Sequence, residues 1–448
     1  MTKTVSDQRK FALQIVKSLT EAGYTAYFAG GCVRDLVMKV KPKDYDIATT
    51  ASPDEIEKLF SKSIPVGKQF GVIIVVMNGR HFEVATFRRE GPYRDGRHPD
   101  EVSFTTPEQD ALRRDFTVNG LFYDPMKRRT IDYVGGKNDI RRKVIRTIGN
   151  PLARFEEDHL RLLRAIRFAA NLGFQIEENT WNAIRELRKT IHSVSQERIR
   201  DELVKMFTRS NAGRGLELLS ESGLLAEILP EIETMKGVQQ PPEFHPEGDV
   251  FIHTKMLMDQ LEHPSIALAF GALLHDVGKP ATFSDEGGRI HFYNHPGIGA
   301  DISKKLLTRL KFSNREIADI ISCVENHMKF ANVKEMRIGK LKQFISRDNF
   351  PVELEMHRID CLASHGKLEL YRFLERKITE FKREELKPKR LINGDDLIGL
   401  GIEPGPIMRE ILEEVYSLQL EDKIKTCDQA LEWVKNHYIK NQGANKQK

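Results

Sequence analysis

Apolar positions recur at helical spacing between residues 6 and 22. Phe11, Ile15 and Leu19, with neighbours Leu13 and Val16, predict an amphipathic helix whose stripe faces a core. The period then shortens. "TAYFAGGCVRD" (25–35) reads as a strand, a tight glycine turn and the start of a helix. "YDIAT" (45–49) and "VIIVVMNG" (72–79) read as strands, and "HFEVATF" (81–87) alternates through Phe82 and Val84. The first 145 residues are therefore mixed α/β in texture. From "NPLARFEED" onward, long helical periods dominate: 155–171, 178–192, 196–209, 212–221, 254–276, 297–309 and 314–328. Proline and glycine crowd "GVQQPPEFHPEGD" (237–249), and "KREELKPKRLINGDD" (382–396) reads as a second linker. The polar tail "KNQGANKQK" is predicted to be disordered. The pattern predicts an α+β chain with an α/β head over 1–150 and helical regions over 151–236, 237–383 and 384–448.

Composition sharpens this picture only slightly. A chain of 448 residues suits two to four domains, and 40% hydrophobic with 30% charged residues fits a soluble globular protein. Net charge is +5, which permits nucleic-acid binding through a local patch without demanding it. The four cysteines, Cys32, Cys323, Cys361 and Cys427, form no CxxC pair, so reduced thiols and a cytoplasmic location are expected. The N-terminus lacks the apolar core of a signal peptide, and no apolar run approaches a membrane span, so no membrane partner is expected.

Chemistry first shows in "KPKDYDIATT". In an extended segment Asp44 and Asp46 point the same way, and two such carboxylates repel unless a cation lies between them. Mg²⁺ favours hard oxygen ligands of this kind, and paired ions can serve both the attacking hydroxyl and the leaving pyrophosphate. Glu83 is the best candidate for a third carboxylate, with Asp115 the other. Upstream, Gly30 and Gly31 allow close backbone approach at a helix start that favours phosphate, and Arg34 can reach a triphosphate oxygen.

"GGCVRD", "DYDIAT", "FEVATFR", "RRDFTVNG" and "EEDHLRLLRAIRF" occur in the order found in the tRNA CCA-adding enzymes and bacterial poly(A) polymerases, and the chain resembles that family over essentially its whole length. The resemblance implies a polymerase-beta-like nucleotidyltransferase head followed by helical neck, HD and C-terminal domains. It implies template-independent transfer of a nucleoside monophosphate from ATP or CTP to a tRNA 3′ end with two Mg²⁺ ions. Under it, Gly31 and Arg34 bind nucleotide, Asp44 and Asp46 bind metal, Arg114 touches the triphosphate, and Asp115 and Asn119 lie near the ribose.

The helical pattern over 156–170 points Leu160, Leu163, Ile166 and Phe168 to a core, while Asp158, Arg161, Arg164 and Arg167 step by three. Cytosine and adenine share an amino donor beside a ring-nitrogen acceptor, so a carboxylate and a guanidinium at Asp158 and Arg161 could select both without a template. The resemblance assigns this task to those positions and sets Arg164 and Arg167 at the nucleotide as well. It also implies that the Gly- and Pro-broken stretch carrying Arg88, Arg89, Arg94 and Arg97 is a mobile loop that helps switch specificity between C and A.

The second helical region carries His253, the pair His275–Asp276 ahead of a Gly-Lys-Pro stop, and Asp360. This set resembles the HD superfamily of metal-dependent phosphohydrolases, and His295 and His327 match the extra histidines of its two-metal members. Imidazole with carboxylate suits Mn²⁺, Ni²⁺, Fe²⁺ or Mg²⁺. Full CCA addition leads the functional readings. A-only addition and poly(A) tailing are its neighbours within the family. An HD-type phosphohydrolase with a degenerate transferase, or a non-catalytic RNA-binding protein, are the readings from other classes. The final segment after residue 384 resembles the RNA-side segment of these enzymes.

Overall fold

A computed structural model describes residues 2–91, 102–243, 245, 246, 248–381 and 388–439. Arg94, Arg97 and the polar tail lie outside the described residues. The chain forms two compact units, one of Met1–Thr234 with Leu261–His263 and Thr308–Phe312, the other of Met235–Gln260, Pro264–Leu307 and Ser313–Lys448.

In the first unit, a seven-stranded mixed sheet forms around β1 (Ala26–Ala29), β2 (Asp46–Thr49), β3 (Ser63–Gly67), β4 (Val72–Met77) and β5 (Arg80–Thr86). A short ribbon of β6 (Arg88–Glu90) and β7 (Val102–Phe104) stands apart, and β8 (Leu121–Asp124) with β9 (Arg129–Asp132) completes the sheet in the order β3-β4-β5-β2-β1-β8-β9. The pairing β2–β5 is parallel, with Ile47 opposite Val84, so Asp46 and Glu83 begin the ladder side by side. Period-two alternation sends Phe28, Ile47, Phe82 and Val84 inward, and the helix Thr2–Glu21 adds Ile15, Val16 and Leu19 to the buried set.

Three expectations need correction. The strand read as "YDIAT" starts at Asp46, with Asp44 in the extended approach to it; Tyr45 is buried and both aspartates face outward, so the alternation survives. Leu13, read as a core position, is 40% exposed. The helix expected over 156–170 is broken into Pro151–Glu157 and Leu160–Leu172. Asp158 adopts an extended conformation there, and its carboxylate accepts from the Leu160 amide at 3.1 Å, the local side-chain bond that favours starting a new helix over continuing an old one.

The second unit is almost wholly helical. The single span expected over 254–276 is two helices, Val250–Asp259 and Ile266–Leu274. Pro264 and the N-cap Ser265, whose hydroxyl accepts from Leu268 at 3.2 Å, start the second one afresh. Asp249 caps the first one by accepting from Ile252 at 3.0 Å, which draws His253 into that helix. Further along, the linker expected over 382–396 gives way to a helix at Gly394–Gly399, capped by Asn393. This helix joins Pro406–Leu420 and Cys427–Val434 around Leu397, Ile411 and Val415.

Candidate functional site

The first candidate site is a cleft of about 870 Å³ in the first unit. Gly30, Gly31 and Arg34 line one wall, Asp46 and Glu83 the sheet side, and Arg114, Asp115 and Asn119 the opposite side. Gly30 has φ +68, and a Cβ there would stand 3.2 Å from Nη1 of Arg114, so the turn needs glycine on both counts. Walls that displace water raise the Asp46 carboxyl to about 6, with the Glu83 and Asp44 charges adding to the effect and Arg114 opposing it. Asp44 is exposed beside the cleft and accepts from Gln8 Nε2 at 3.4 Å.

The cations of this cleft are held in place by the protein. Arg114 donates from Nε and Nη2 to Asp110 Oδ2 at 3.1 and 3.0 Å, and its guanidinium lies 4.9 Å from the Phe122 ring centre. Arg34 Nη1 donates to Asn119 Oδ1 at 2.9 Å while its Nε and Nη2 grip Asp35. Asp115 receives four donors: Phe116 N at 2.8 Å and Asn119 Nδ2 at 3.2 Å on one oxygen, Arg164 Nε and Nη2 at 2.8 and 2.6 Å on the other. These bonds, with the Arg164 charge, outweigh burial and hold the Asp115 carboxyl below the usual range.

Asp158, Arg161 and Arg164 also reach the cleft. Their pairing differs from a simple step of three. Asp158 binds Arg198 Nη2 through both oxygens at 3.1 and 2.9 Å, whereas Arg161 bonds Glu157 at 2.5 Å and the Arg154 carbonyl at 2.9 Å. Arg167 sits behind the lining, paired with buried Glu202 at 2.5 Å. Phe168 faces the cleft rather than the core, with the guanidiniums of Arg167, Arg164 and Arg34 at 4.0, 5.4 and 5.6 Å from its ring centre. Sequence reasoning missed Asp110, Arg198 and Glu202. Arg198 and Glu202 lie on another helix, far along the chain from the residues they orient, whereas Asp110 stands four residues before Arg114 and its i, i+4 spacing was the signal that could have found it.

The second candidate site is inside the second unit. His253, His275 and Asp360 form one group of possible metal ligands, and Asp276, His295 and His327 another. All six residues singled out from the sequence are brought together, His253, His295 and Asp360 from three helices and His275, Asp276 and His327 from the turns that end two others. His275 Nε2 lies 3.1 Å from Asp276 Oδ2, His253 Nε2 lies 3.0 Å from Asp360, and the Nε2 atoms of His295 and His327 are 3.1 Å apart. His275, His295 and His327 each direct Nδ1 to a backbone carbonyl, at 2.9, 3.0 and 2.7 Å. A carbonyl only accepts, so each Nδ1 carries the proton and each Nε2 keeps a lone pair for a cation.

The electrostatics of this cluster fit a cation. His275 Nε2 and Asp276 Oδ1 are buried without a hydrogen bond, an arrangement that a bound cation would satisfy, while Asp276 Oδ2 has Lys279 Nζ at 2.7 Å. His275 and Lys279 outweigh the effect of burial and hold the Asp276 carboxyl well below its usual range. Burial, with the neighbouring His275, pushes His327 down to about 3 and keeps it neutral.

Comparison with known proteins agrees with this two-part layout. Residues 26–146 match the poly A polymerase head domain, 173–236 a probable RNA and SrmB-binding site of polymerase A, and 249–360 the HD domain. The CCA-adding enzyme of Bacillus pumilus is 44% identical over 223 residues, covering 50% of this chain and 55% of that protein. The CCA-adding enzyme of Bacillus subtilis is 44% identical over 218 residues, 48% of this chain and 55% of that protein. The chain thus spans about half the length of the curated relatives it matches. In structure it is similar to the Bacillus stearothermophilus CCA-adding enzyme crystallised with CTP, at a TM-score of 0.74 and 26% identity over 98% of each chain. On these matches, together with the cleft and the histidine cluster, the chain carries a poly A polymerase head domain and an HD domain, and it is similar to CCA-adding enzymes in sequence over about half its length and in fold over nearly all of it.

Proposed function

We propose that the protein adds CCA to tRNA 3′ ends from CTP and ATP, one nucleotide at a time and without a nucleic-acid template. The observation that carries this reading is the parallel pairing of β2 with β5, whose register sets Asp46 beside Glu83 on one side of a cleft walled by Gly30, Arg34 and Arg114. Asp44, Asp46 and Glu83 would hold divalent ions, Mg²⁺ by the hardness of their oxygens, and the raised Asp46 carboxyl marks a group of acids that favours a cation. When bound, such ions supply charge neutralisation at the attacking hydroxyl and the leaving pyrophosphate.

The protein's own part is positioning. Arg34 and Arg114, already fixed by Asn119 and Asp110, offer a triphosphate preset donors that lose little freedom on binding. A ribose 2′-hydroxyl donating to Asp115 would replace the Asn119 amide, the longest of its four bonds at 3.2 Å. Asp158 accepts from the base amino group and Arg161 donates to the ring nitrogen, with Arg198 holding the carboxylate in place. Arg164 acts at the nucleotide through Asp115. We assign 1–150 to the head, 151–236 to the neck, 237–383 to the HD domain and 384–448 to the RNA side, and place the protein in the cytoplasm with tRNA. No helix among the described residues is long and apolar enough to cross a membrane. Incorporation of labelled CMP into a tRNA transcript that lacks CCA tests the reading; incorporation of UMP with equal efficiency contradicts it.

One observation favours a second activity. Two adjoining groups of three ligands each stand in the HD domain, with three histidine tautomers preset for a metal. We propose that this site binds Mn²⁺, Ni²⁺, Fe²⁺ or Mg²⁺ and hydrolyses phosphoesters at RNA ends, 2′,3′-cyclic phosphates among them. Metal content and cyclic-phosphate cleavage in His275→Ala test it; retention of both overturns it.

A further inference from the structure

A groove of about 770 Å³ runs along the first unit outside the transferase cleft. Its apolar surface comes from Leu13 and Val40, above the buried rings of Phe28 and Tyr45. Its rim is cationic: Arg9 and Lys10 come from the helix Thr2–Glu21, Lys39 and Lys41 from the segment before β2, and Arg128 from the β8–β9 turn. No acidic residue lines it. Among the described residues none of these five side chains has an ion-pair partner, in contrast to Arg34, Arg114, Arg161 and Arg164 in the cleft.

The fold holds the rim in place at a backbone cost. Lys39 and Arg128 have φ of 59° and 53°, a conformation uncommon for residues with a side chain. Asp124 fixes the second of these turns by accepting from the Met126 and Lys127 amides, both at 3.0 Å. The groove lies on the sheet face opposite the acids, because Tyr45 and Phe28 alternate with Asp46 and Ala29 along their strands; Asp44, which bonds Gln8, the neighbour of Arg9, stands at the strand end between the two faces.

We infer that this groove binds the phosphate backbone of the RNA substrate at a place apart from the 3′ end, with its five rim cations pairing successive phosphates. The choice of RNA as the polyanion rests on the transferase reading; the anion site itself rests on five cations from three elements around one groove. Exposed cations without partners suit phosphates, which they can pair with little loss of existing bonds.

The test is tRNA binding by fluorescence anisotropy, in salt from about 50 to 200 mM, for wild type and for Lys39→Gln/Lys41→Gln/Arg128→Gln. Loss of three phosphate contacts lowers the slope of log K against log salt by about 2 and weakens binding roughly tenfold or more at low salt. KM for tRNA rises with it, while KM for CTP and kcat at saturating tRNA stay unchanged. Arg9→Gln/Lys10→Gln, from the other rim, gives the same signature. Lys17→Gln, on the same helix and already paired with Glu21, leaves binding unchanged. Equal melting temperatures exclude misfolding as the cause.

Unchanged affinity and slope in both variants overturn the groove, whether or not the wild type transfers nucleotides. A wild type that binds tRNA through these residues yet transfers nothing overturns the transferase reading and leaves the groove standing. Loss of polyglutamate binding with tRNA binding intact replaces RNA by an acidic protein and overturns the proposal.

Discussion

The transferase cleft and the HD cluster both gather carboxylates, with opposite electrostatics. In the cleft, acids meet acids: Asp46 is raised to about 6 by desolvation and by Glu83 and Asp44. In the HD cluster, acids meet imidazoles, and Asp276 and Asp360 are held ionised while His327 is pushed down to about 3. The cleft is open and its cations are prefixed by Asp110, Asn119 and Asp115. The cluster is deeper, with His253, His275 and Asp276 at most 1% exposed, and it opens through Asp360, His295 and His327 onto a pocket of about 680 Å³. Carboxylates grouped on one wall and guanidiniums on the others suit an ion that arrives with a triphosphate. Imidazoles mixed with carboxylates, deeply buried, suit an ion held by the protein itself.

The largest effect that separates the two is Asp46→Asn. Transfer should fall by roughly a thousandfold or more, the several kcal/mol that charge neutralisation supplies, with tRNA affinity intact and cyclic-phosphate cleavage unchanged. Surviving transfer breaks the comparison at its first member. Asp276→Ala should do the reverse. Its oxygens lie near His275, His295 and His327, so its loss should empty the HD site of metal after dialysis, measured by elemental analysis, and leave transfer within about twofold.

A smaller effect tests how far base choice depends on support from behind. Arg198→Ala removes the clamp on Asp158 and should reduce discrimination of CTP against UTP by roughly tenfold, the value of one hydrogen bond to a charged group. KM for tRNA is the internal control and should not move.

The smallest effect is on stability. The folded Asp46 carboxyl sits above its ordinary value of 3.8, so its contribution is fully present below about pH 4 and is lost as pH rises through about 6. Metal-free Asp46→Asn should therefore melt above the wild type at pH 7 and approach it at pH 4.5, with saturating Mg²⁺ raising only the wild type. His327 runs the other way, because its depressed value gives stability above the ordinary histidine range that is lost as pH falls toward about 3. The difference between the two proteins, measured by calorimetry at each pH, isolates Asp46 from that background.

Much of both sites was legible in the sequence because their chemistry lies in short local patterns. Gly30-Gly31 with Arg34, the alternation of Asp44 and Asp46, and His275-Asp276 each need only a few consecutive residues to announce a turn, a strand face or a ligand pair. What stayed hidden depends on chain geometry between distant segments. The periodic pattern over 156–170 gave no sign that Asp158 would stop one helix and start another, since its bond to the Leu160 amide competes with helix continuation only locally. Its partner Arg198 lies forty residues on. Phe168 fits an apolar stripe by spacing, yet the turn of its helix brings it under three guanidiniums. Leu13 likewise satisfied the period and faces a groove instead.

The central claim is the reaction itself, and stepwise feeding tests it most directly. A tRNA ending before CCA is incubated with CTP alone, the product is purified, and ATP alone is then supplied, with 3′ ends read by sequencing. The account predicts two added C residues in the first step and one A in the second, each dependent on divalent metal and absent in Asp46→Asn. No C addition in the first step, with A added directly to the trimmed end or in long runs, would contradict it.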